Sequence, residues 1–172
     1  MKRILLTGMS GTGKSTAIEQ LVGLGYKAID LDSEGLCEWD ANGDELWLED
    51  EVRRLLATED GDALFLAGCA ANQVKFYEHF DHIVLLSAPL EVMTERLTNR
   101  TNNPYGKDPS EAARILEQKD TIEPMLRRTA TIEVDTSGPV DQLLEVILGL
   151  IRQEQGSDEK SSSRLAHPGG GT

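Results

Sequence analysis

The chain has 172 residues, a formal net charge of −13 at pH 7 and an isoelectric point near 4.6. Such an acidic chain lacks the basic surface that sequence-independent nucleic-acid binding requires, and no stretch approaches the roughly 18 apolar residues of a membrane-spanning helix. Because only Met1 precedes the first apolar run, we expect no signal peptide and a cytoplasmic protein. The length suits a single domain, and we expect a monomer without nucleic-acid or membrane partners. Cys37 and Cys69 have no C-x-x-C neighbour and predict free thiols in a reducing compartment.

The N-terminal segment joins a strand to a helix through a glycine-rich loop. Residues 2–7 (K-R-I-L-L-T) form an apolar run that predicts a buried parallel strand. Residues 8–16 (G-M-S-G-T-G-K-S-T) fit the pattern G-x-x-x-x-G-K-[ST] without a mismatch. Apolar residues at 18, 21 and 22 follow at helical spacing, so this loop opens a helix.

The residue types of this loop predict a phosphate-binding site. Glycine allows positive φ and close approach of the backbone to a ligand, so successive N–H groups point inward at a helix N-terminus. Lys14 is placed to reach the β- and γ-phosphates, and the Ser15 hydroxyl to ligate Mg²⁺. We therefore expect binding of a nucleoside triphosphate, and the residues predicted to contact it are Gly8, Ser10, Gly11, Thr12, Gly13, Lys14, Ser15 and Thr16.

Two further strands and one helix are predicted between this loop and residue 68. Residues 26–30 predict a second strand, which ends in an acidic loop (D-L-D-S-E, residues 30–34). The sequence D-A-N-G-D over residues 40–44 is typical of a turn, and a helix with one apolar face is predicted from Glu45. Residues 63–67 (A-L-F-L-A) predict a third, fully buried strand.

The second half of the chain continues the alternation of strands and helices. We predict a brief helical piece over 72–80, a fourth strand over 82–87, a helix from Pro89 to Arg100 and a polar loop over 101–107. A helix from Asp108 toward Arg128 is expected to break near Pro124, before a fifth strand over 131–135 and a last helix over 140–152. Residues 153–172 have almost nothing apolar to bury and are expected to be a disordered tail. The alternation predicts an α/β fold with a parallel sheet covered on both faces.

Over residues 1–151 the chain resembles the small P-loop kinases, the group that contains shikimate kinase and the nucleoside monophosphate kinases. Besides the glycine-rich loop, the resemblance depends on Asp30-Leu31-Asp32, on E-R-L-T-N-R over residues 95–100, and on 101–107 as a lid-like loop. It implies a three-layer α/β/α sandwich over residues 1–152, with five parallel strands in the order 2-3-1-4-5. It also implies ATP and Mg²⁺ as cofactors and a small-molecule acceptor as partner.

The resemblance assigns different roles to the two aspartates. Asp32 would bind the acceptor hydroxyl and take its proton, and Asp30 would hold Mg²⁺ through water together with Ser15. In phosphoryl transfer a carboxylate orients the nucleophile while metal neutralises developing charge. The reverse assignment, with Asp30 as the base, and a merely solvated acidic loop both stay open.

The arginines before the lid-like loop are predicted nucleotide contacts. By resemblance, Arg96 stacks on adenine and Arg100 touches phosphates during catalysis, tasks that suit a planar and permanently charged guanidinium. Two arginines one helical turn apart are also common on solvated helix faces. Arg127 and Arg128 fit a further phosphate contact and a cation-neutralised helix C-terminus equally well.

Trp39 and Asn72 are the residues predicted to line the acceptor pocket. Their alternatives are structural, with Trp39 or Trp47 as packing residues and Asn72 as a helix N-cap. His79 and His82 are three residues apart, but they flank the start of a predicted strand without a shell of carboxylates, which argues against a metal site. Ile122 stands where shikimate kinase has an arginine for its substrate's carboxylate, which argues against shikimate as the acceptor.

The predicted function is an ATP-dependent small-molecule kinase that phosphorylates a hydroxyl or phosphate acceptor of unknown identity. Two alternatives remain, a nucleoside monophosphate kinase and a nucleotide-dependent switch that binds a protein. Hydrolytic ATPases end the third strand with an acidic Mg²⁺ ligand, whereas this chain has Ala67-Gly68-Cys69 there. The sequence therefore favours phosphoryl transfer.

Overall fold

The computed structural model describes residues 1–33, 35–100 and 107–162, and their side chains as far as Arg152. The strands are β1 (Lys2–Thr7), β2 (Lys27–Asp30), β3 (Cys37–Trp39), β4 (Glu45–Trp47), β5 (Ala63–Ala67), β6 (His82–Ser87) and β7 (Ile132–Asp135). The α-helices are α1 (Lys14–Gly23), α2 (Glu49–Leu56), α3 (Leu90–Asn99), α4 (Pro109–Thr121), α5 (Glu123–Thr129) and α6 (Val140–Ser162). A 3₁₀ helix spans Gln73–His79.

Five strands form a parallel sheet in the order β2-β5-β1-β6-β7. Numbered along the chain within this sheet, the order is 2-3-1-4-5, so the predicted topology is confirmed. β1 is central, and Leu5 is paired with Leu66 of β5 on one side and with Ile83 of β6 on the other. All five residues of β5 are buried, as expected for a strand covered on both faces.

Alternate residues of the central strand face opposite hydrophobic layers. Ile4 and Leu6 pack toward α1 and α6, in a cluster that includes Ala17, Leu21, Leu143 and Ile147. Leu5 faces the other side, where its cluster includes Val52 of α2 and Phe76 of the 3₁₀ helix. Next to it, Leu85 of β6 packs with Met93, Ile115 and Leu126 from α3, α4 and α5. The three-layer α/β/α sandwich is confirmed.

The prediction of a helix beginning at Glu45 was wrong. Residues Glu45–Trp47 form β4, which pairs antiparallel with β3 in a separate two-stranded sheet. The turn between them was expected, and Asp40 Oδ1 stabilises it by accepting hydrogen bonds from Asn42 N at 2.8 Å and Asp44 N at 2.9 Å. Gly43 adopts a φ of +80°, which closes the hairpin, and α2 begins only at Glu49.

Two other helix boundaries bear on the predictions. The break near Pro124 is confirmed, because α4 ends at Thr121 and α5 begins at Glu123. In contrast, α6 continues to Ser162, ten residues beyond its predicted end, so the first half of the predicted tail is helical. Residues 101–106 of the lid-like loop and residues 163–172 of the tail lie outside the described residues.

Candidate active site

The glycine-rich loop between β1 and α1 is held against the body of the protein. A Cβ on Gly8 would overlap the carbonyl oxygen of Leu86, and one on Gly11 would lie 3.0 Å from the carbonyl oxygen of Met93. Gly11 and Gly13 have φ of +84° and +96°. The buried Thr12 hydroxyl donates to Met9 O at 2.7 Å, so the loop keeps its curvature without a ligand. These features preorganise inward-facing N–H groups at the start of α1.

The two polar residues that open α1 take different partners. Lys14 Nζ donates hydrogen bonds to Gly8 O at 2.5 Å and Met9 O at 3.0 Å, which places the ammonium inside the curve of the loop. Ser15 Oγ donates to Asp30 Oδ2 at 2.9 Å. A hydroxyl and a carboxylate side by side, next to a phosphate-binding loop, form the oxygen-rich environment that Mg²⁺ prefers.

The Asp30 and Asp32 side chains line the same cleft at the end of β2. Asp30 Oδ1 accepts a hydrogen bond from Asp32 N at 3.0 Å, which fixes the chain between them. Asp32 Oδ1 accepts from Trp47 Nε1 at 3.1 Å, and both Asp32 oxygens accept from Cys69 N at 3.1 to 3.2 Å. Asp30 is therefore joined to the loop serine, whereas Asp32 is held by the hairpin and by the segment after β5.

The surroundings of Asp32 raise the pKa of its carboxyl. Burial is the largest cause and exceeds the opposing effects of the Lys14 charge and the Trp47 hydrogen bond, while the Asp30 charge raises the pKa further. A carboxylate whose pKa is raised is a stronger base than one in water. This environment suits the predicted role of Asp32 in accepting a proton.

Arg96 is fixed between the glycine-rich loop and the segment after β7. Its Nη1 donates to Gly11 O and to Thr136 Oγ1, both at 3.2 Å, and its Nη2 donates to Thr136 O. The Thr136 hydroxyl in turn donates to Thr12 O at 2.7 Å. Arg96 also lines the cleft, as does Arg100, which caps the end of α3. Adenine stacking by Arg96 and phosphate contact by Arg100 stay predictions.

A single cleft of about 1550 Å³ contains most of the predicted site residues. It extends from the glycine-rich loop past β2 to the β3–β4 hairpin and is bordered by α3, α4 and α5. Predicted residues that line it are Gly8, Ser10, Gly11, Gly13, Lys14, Ser15, Thr16, Asp30, Asp32, Trp39, Arg96 and Arg100. This cleft exceeds the usual volume of a small-molecule site, roughly 300–1,000 Å³, so it has room for two ligands.

Asn72 was predicted to line the acceptor pocket, but its side-chain amide binds the backbone of Trp47. Its Oδ1 accepts from Trp47 N at 2.9 Å and its Nδ2 donates to Trp47 O at 3.0 Å, so the amide fixes the backbone of the hairpin at Trp47. The neighbouring Gln73 lines the cleft in its place, and its Nε2 donates to Tyr77 Oη at 2.7 Å and to Thr7 Oγ1 at 3.1 Å. Of the two tryptophans, Trp39 is 62% exposed and lines the cleft, whereas Trp47 is buried.

The remaining charged candidates have structural partners. Arg127 pairs with Glu133 at 2.6 Å and with the buried Glu123 at 3.0 Å, which supports the structural alternative for this residue. Arg128 Nε donates to Pro124 O at 3.4 Å. Within the described residues, no group of three or more histidine, cysteine or acidic side chains is arranged to hold a metal ion.

Sequence reasoning missed Glu45 as part of the site. Glu45 lines the cleft, while the Trp47 indole holds Asp32 through a hydrogen bond to its carboxylate. The turn sequence D-A-N-G-D was recognised, but the two strands that flank it were not. Paired as a hairpin, these strands place Glu45 opposite Trp39 and turn both side chains to the same face. No helix of the described part of the chain is long and apolar enough to cross a membrane.

Together, the parallel sheet of order 2-3-1-4-5 and the intact G-x-x-x-x-G-K-[ST] loop after β1 define a P-loop nucleotide-binding protein. A family model described as "AAA domain" matches residues 4–117, which is more than half of the chain. The chain belongs to this family. A comparison with curated protein sequences found no match.

Solved structures show that the fold is that of the small P-loop kinases. Shikimate kinase from Acinetobacter baumannii in complex with shikimate has a TM-score of 0.62 at 20% identity, with 96% of each chain covered. A gluconokinase from Sinorhizobium meliloti 1021 has a TM-score of 0.58 at 22% identity, covering 94% of this chain and 97% of its own. Deoxyadenosine kinase from M. mycoides with bound dATP has a TM-score of 0.60 at 13% identity, covering 88% of this chain and 100% of its own.

Proposed function

We propose that this protein is an ATP-dependent kinase that transfers the γ-phosphoryl group to a hydroxyl of a small molecule. The observation that carries the proposal is the position of Asp32. Its carboxylate lies in the same cleft as the P-loop and is fixed by Trp47 Nε1 and Cys69 N. An acceptor hydroxyl needs a positioned carboxylate that accepts its proton, and a carboxylate fixed in the same cleft as the phosphate-binding loop meets this need.

The P-loop residues bind and orient the triphosphate in this proposal. Backbone N–H groups from Gly8 to Ser15 surround the phosphate oxygens, and the Lys14 ammonium exchanges its carbonyl partners for the β- and γ-phosphates. Ser15 Oγ and the Asp30 carboxylate, 2.9 Å apart, would hold Mg²⁺. Bound there, Mg²⁺ supplies charge neutralisation for the transferring phosphoryl group.

Asp32 orients the acceptor and accepts its proton. The acceptor oxygen attacks the γ-phosphorus as the bond to the β–γ bridging oxygen breaks, and ADP leaves with the electron pair. The hydroxyl proton passes to Asp32 and then to solvent. Arg100 lies on the other border of the cleft, where its charge stabilises the negative charge of the transferring group.

The alternative of a protein-binding switch has less support. Such switches hold Mg²⁺ with an acidic residue after the third strand of the sheet, and here β5 is followed by Gly68 and Cys69. We infer instead that the acceptor binds in the part of the cleft that Asp32 lines. Two of the structural neighbours are a shikimate kinase and a gluconokinase. They have the same fold and act on small molecules, which supports transfer to a metabolite.

The test is ATP consumption in the presence of a panel of nucleosides, nucleoside monophosphates, polyols, sugar acids and amino alcohols. We expect the wild-type protein to turn over ATP with at least one acceptor of the panel. In Lys14→Ala this turnover should decrease by about 10²-fold or more, because phosphate orientation depends on the lysine charge. Lys27→Ala is the matched control, since Lys27 pairs with the exposed Asp60 at 3.4 Å on the surface. Unchanged turnover in Lys14→Ala would refute the proposed site, and ATP hydrolysis that no acceptor stimulates would refute transfer.

A further inference from the structure

The β3–β4 hairpin presents one of its faces to Asp32. Cross-strand pairing places Trp39 opposite Glu45 and Cys37 opposite Trp47, and residues paired in this way share a face of the hairpin. Trp47 binds the Asp32 carboxylate through its indole nitrogen, and Cys37 Sγ donates to Asp32 O at 3.5 Å. Glu45 and Trp39 extend the same face along the wall of the cleft. If the hydroxyl of a bound molecule lies at Asp32, the rest of that molecule therefore lies near Glu45 and Trp39.

The charges among the described residues leave the Glu45 carboxyl poorly compensated, because the attraction of the Lys14 ammonium is weaker than the repulsion by the Asp32 carboxylate. The Oε1 atom of Glu45 is buried and has no hydrogen-bond partner of good geometry among the described residues. Burial, and secondarily the negative charge of Asp32, raise the pKa of Glu45 to about 8. A buried carboxyl beside a second carboxylate is stabilised when a cation binds between or next to them.

Trp39 supplies the second element of a cation site. Its indole is 62% exposed although it borders the cleft, and it lies across the hairpin from Glu45. An exposed aromatic face attracts ammonium groups through its quadrupole, and the attraction strengthens when water is excluded. An indole face beside a carboxylate is thus suited to a cationic ligand.

The cations that line the described part of the cleft are bonded to backbone carbonyls or end a helix, and of these the Lys14 charge also acts on Asp32 and Glu45. Lys14 and Arg96 are bonded to the P-loop, and Arg100 ends α3 near the predicted triphosphate. Arg114 of α4 donates from Nη2 to Gly43 O at 2.7 Å, at the tip of the hairpin. The wall beyond Asp32 is formed by Glu45, the exposed Asp44 and Trp39, and this charge distribution disfavours a carboxylate or phosphate on the acceptor.

We propose that the acceptor is an amino alcohol or amino sugar, whose ammonium group binds between Glu45 and the indole of Trp39 while its hydroxyl lies at Asp32. This inference depends on the proposed kinase activity and names the chemical class of its acceptor. The transfer step is unchanged, because the ammonium group binds and does not react. The hydroxyl oxygen gains the γ-phosphoryl group, ADP departs, and the hydroxyl proton goes to Asp32.

Matched acceptors that differ only in charge provide the test. Phosphoryl transfer from ATP is measured with glucosamine, glucose and gluconate, with ethanolamine, ethylene glycol and glycolate, and with a wider panel of amino sugars, neutral polyols and sugar acids. We expect kcat/KM for the amine to exceed that of its neutral and anionic partners by about tenfold or more, as one desolvated ion pair provides. Glu45→Gln should remove this preference chiefly through KM for the amine.

Two variants control for structural effects. Glu38→Gln makes the same charge change on the opposite face of the hairpin, where Glu38 pairs across the strands with Leu46, and should leave the preference intact. Trp39→Leu changes an exposed residue and should reduce the preference for amines even where Glu45→Gln folds poorly. Binding of a non-hydrolysable ATP analogue verifies that each variant keeps its P-loop.

The outcomes distinguish a failure of the proposed cation site from a failure of the proposed kinase activity. Preferred phosphorylation of neutral or anionic acceptors, or an amine preference that survives in both Glu45→Gln and Trp39→Leu, would overturn the cation site and leave the kinase standing. Binding of ATP without transfer to any acceptor of the wider panel would overturn the kinase itself and this inference with it.

Discussion

The indole nitrogen of Trp47 donates a hydrogen bond of 3.1 Å to Oδ1 of Asp32. Trp47 is 1% exposed, and its own backbone is held on both sides by the amide of Asn72. Asn72, directly before the 3₁₀ helix, therefore fixes the hairpin, and the hairpin fixes the carboxylate. A side chain with no access to the ligand thereby determines where the candidate base lies in the cleft.

Trp47→Phe tests this relationship. The variant removes the hydrogen bond but keeps most of the buried aromatic volume, and we expect kcat to decrease about tenfold because a positioned carboxylate contributes by its orientation. The free energy of unfolding should decrease by about 1–3 kcal/mol, the usual cost of a lost buried hydrogen bond together with a small cavity. The measurements are acceptor phosphorylation and urea unfolding. Lowered stability with unchanged kcat would show that Trp47 only packs.

The two aspartates at the end of β2 are expected to differ in their kinetics. Asp32→Asn should lower kcat by about 10²-fold or more with little change in ATP affinity, because it removes the proton acceptor. Asp30→Asn should weaken the Mg²⁺ dependence of the reaction, since Asp30 accepts the hydrogen bond of Ser15 Oγ at 2.9 Å. Single-turnover kinetics at several Mg²⁺ concentrations separate the two effects. Normal turnover by Asp32→Asn beside an inactive Asp30→Asn would reverse the assignment.

Gly68→Ala should damage the site through one added methyl group. The new Cβ would lie 2.5 Å from Asp32 Oδ1 and 3.0 Å from Trp47 Cζ2, so the carboxylate or the indole must move. We expect a stability loss of about 1–3 kcal/mol, as for other overpacked sites, and a decrease in kcat. Gly23→Ala is the control, because it adds its Cβ in α1 with no atom within 4 Å. Equal kcat in the two variants would contradict the close packing around Asp32.

The ionisation of Glu45 should make the free energy of unfolding depend on pH. The pKa of Glu45 is raised from 4.5 to about 8 by burial and by Asp32, so between these values the folded state binds more protons than the unfolded state. The free energy of unfolding then decreases as pH rises through this window, and the loss is complete above it. Glu45→Gln removes this contribution. It should match the wild type near pH 4 and be more stable than the wild type at pH 9, measured by urea unfolding with Glu38→Gln as control. An equal difference at both pH values would contradict the raised pKa.

The features that the sequence predicted correctly are those decided by local patterns. The P-loop follows from a contiguous motif, and the five sheet strands follow from short apolar runs bounded by turns. The break between α4 and α5 follows from Pro124, which cannot continue a helix. These elements need no knowledge of distant residues, because backbone chemistry or strand burial specifies each of them. The resemblance to small P-loop kinases then provided the strand order.

The residues around the candidate base were decided by the tertiary structure. Residues 45–48 carry an apolar pattern that also suits a helix, and only the pairing of Glu45–Trp47 with Cys37–Trp39 made them a strand. That pairing buries Trp47 against Asp32, turns Glu45 into the cleft and engages the amide of Asn72. The contacts join residues 15 to 37 positions apart along the chain. Sequence spacing alone does not determine such contacts, because the free energy of burial and cross-strand packing, rather than local propensity, selects them.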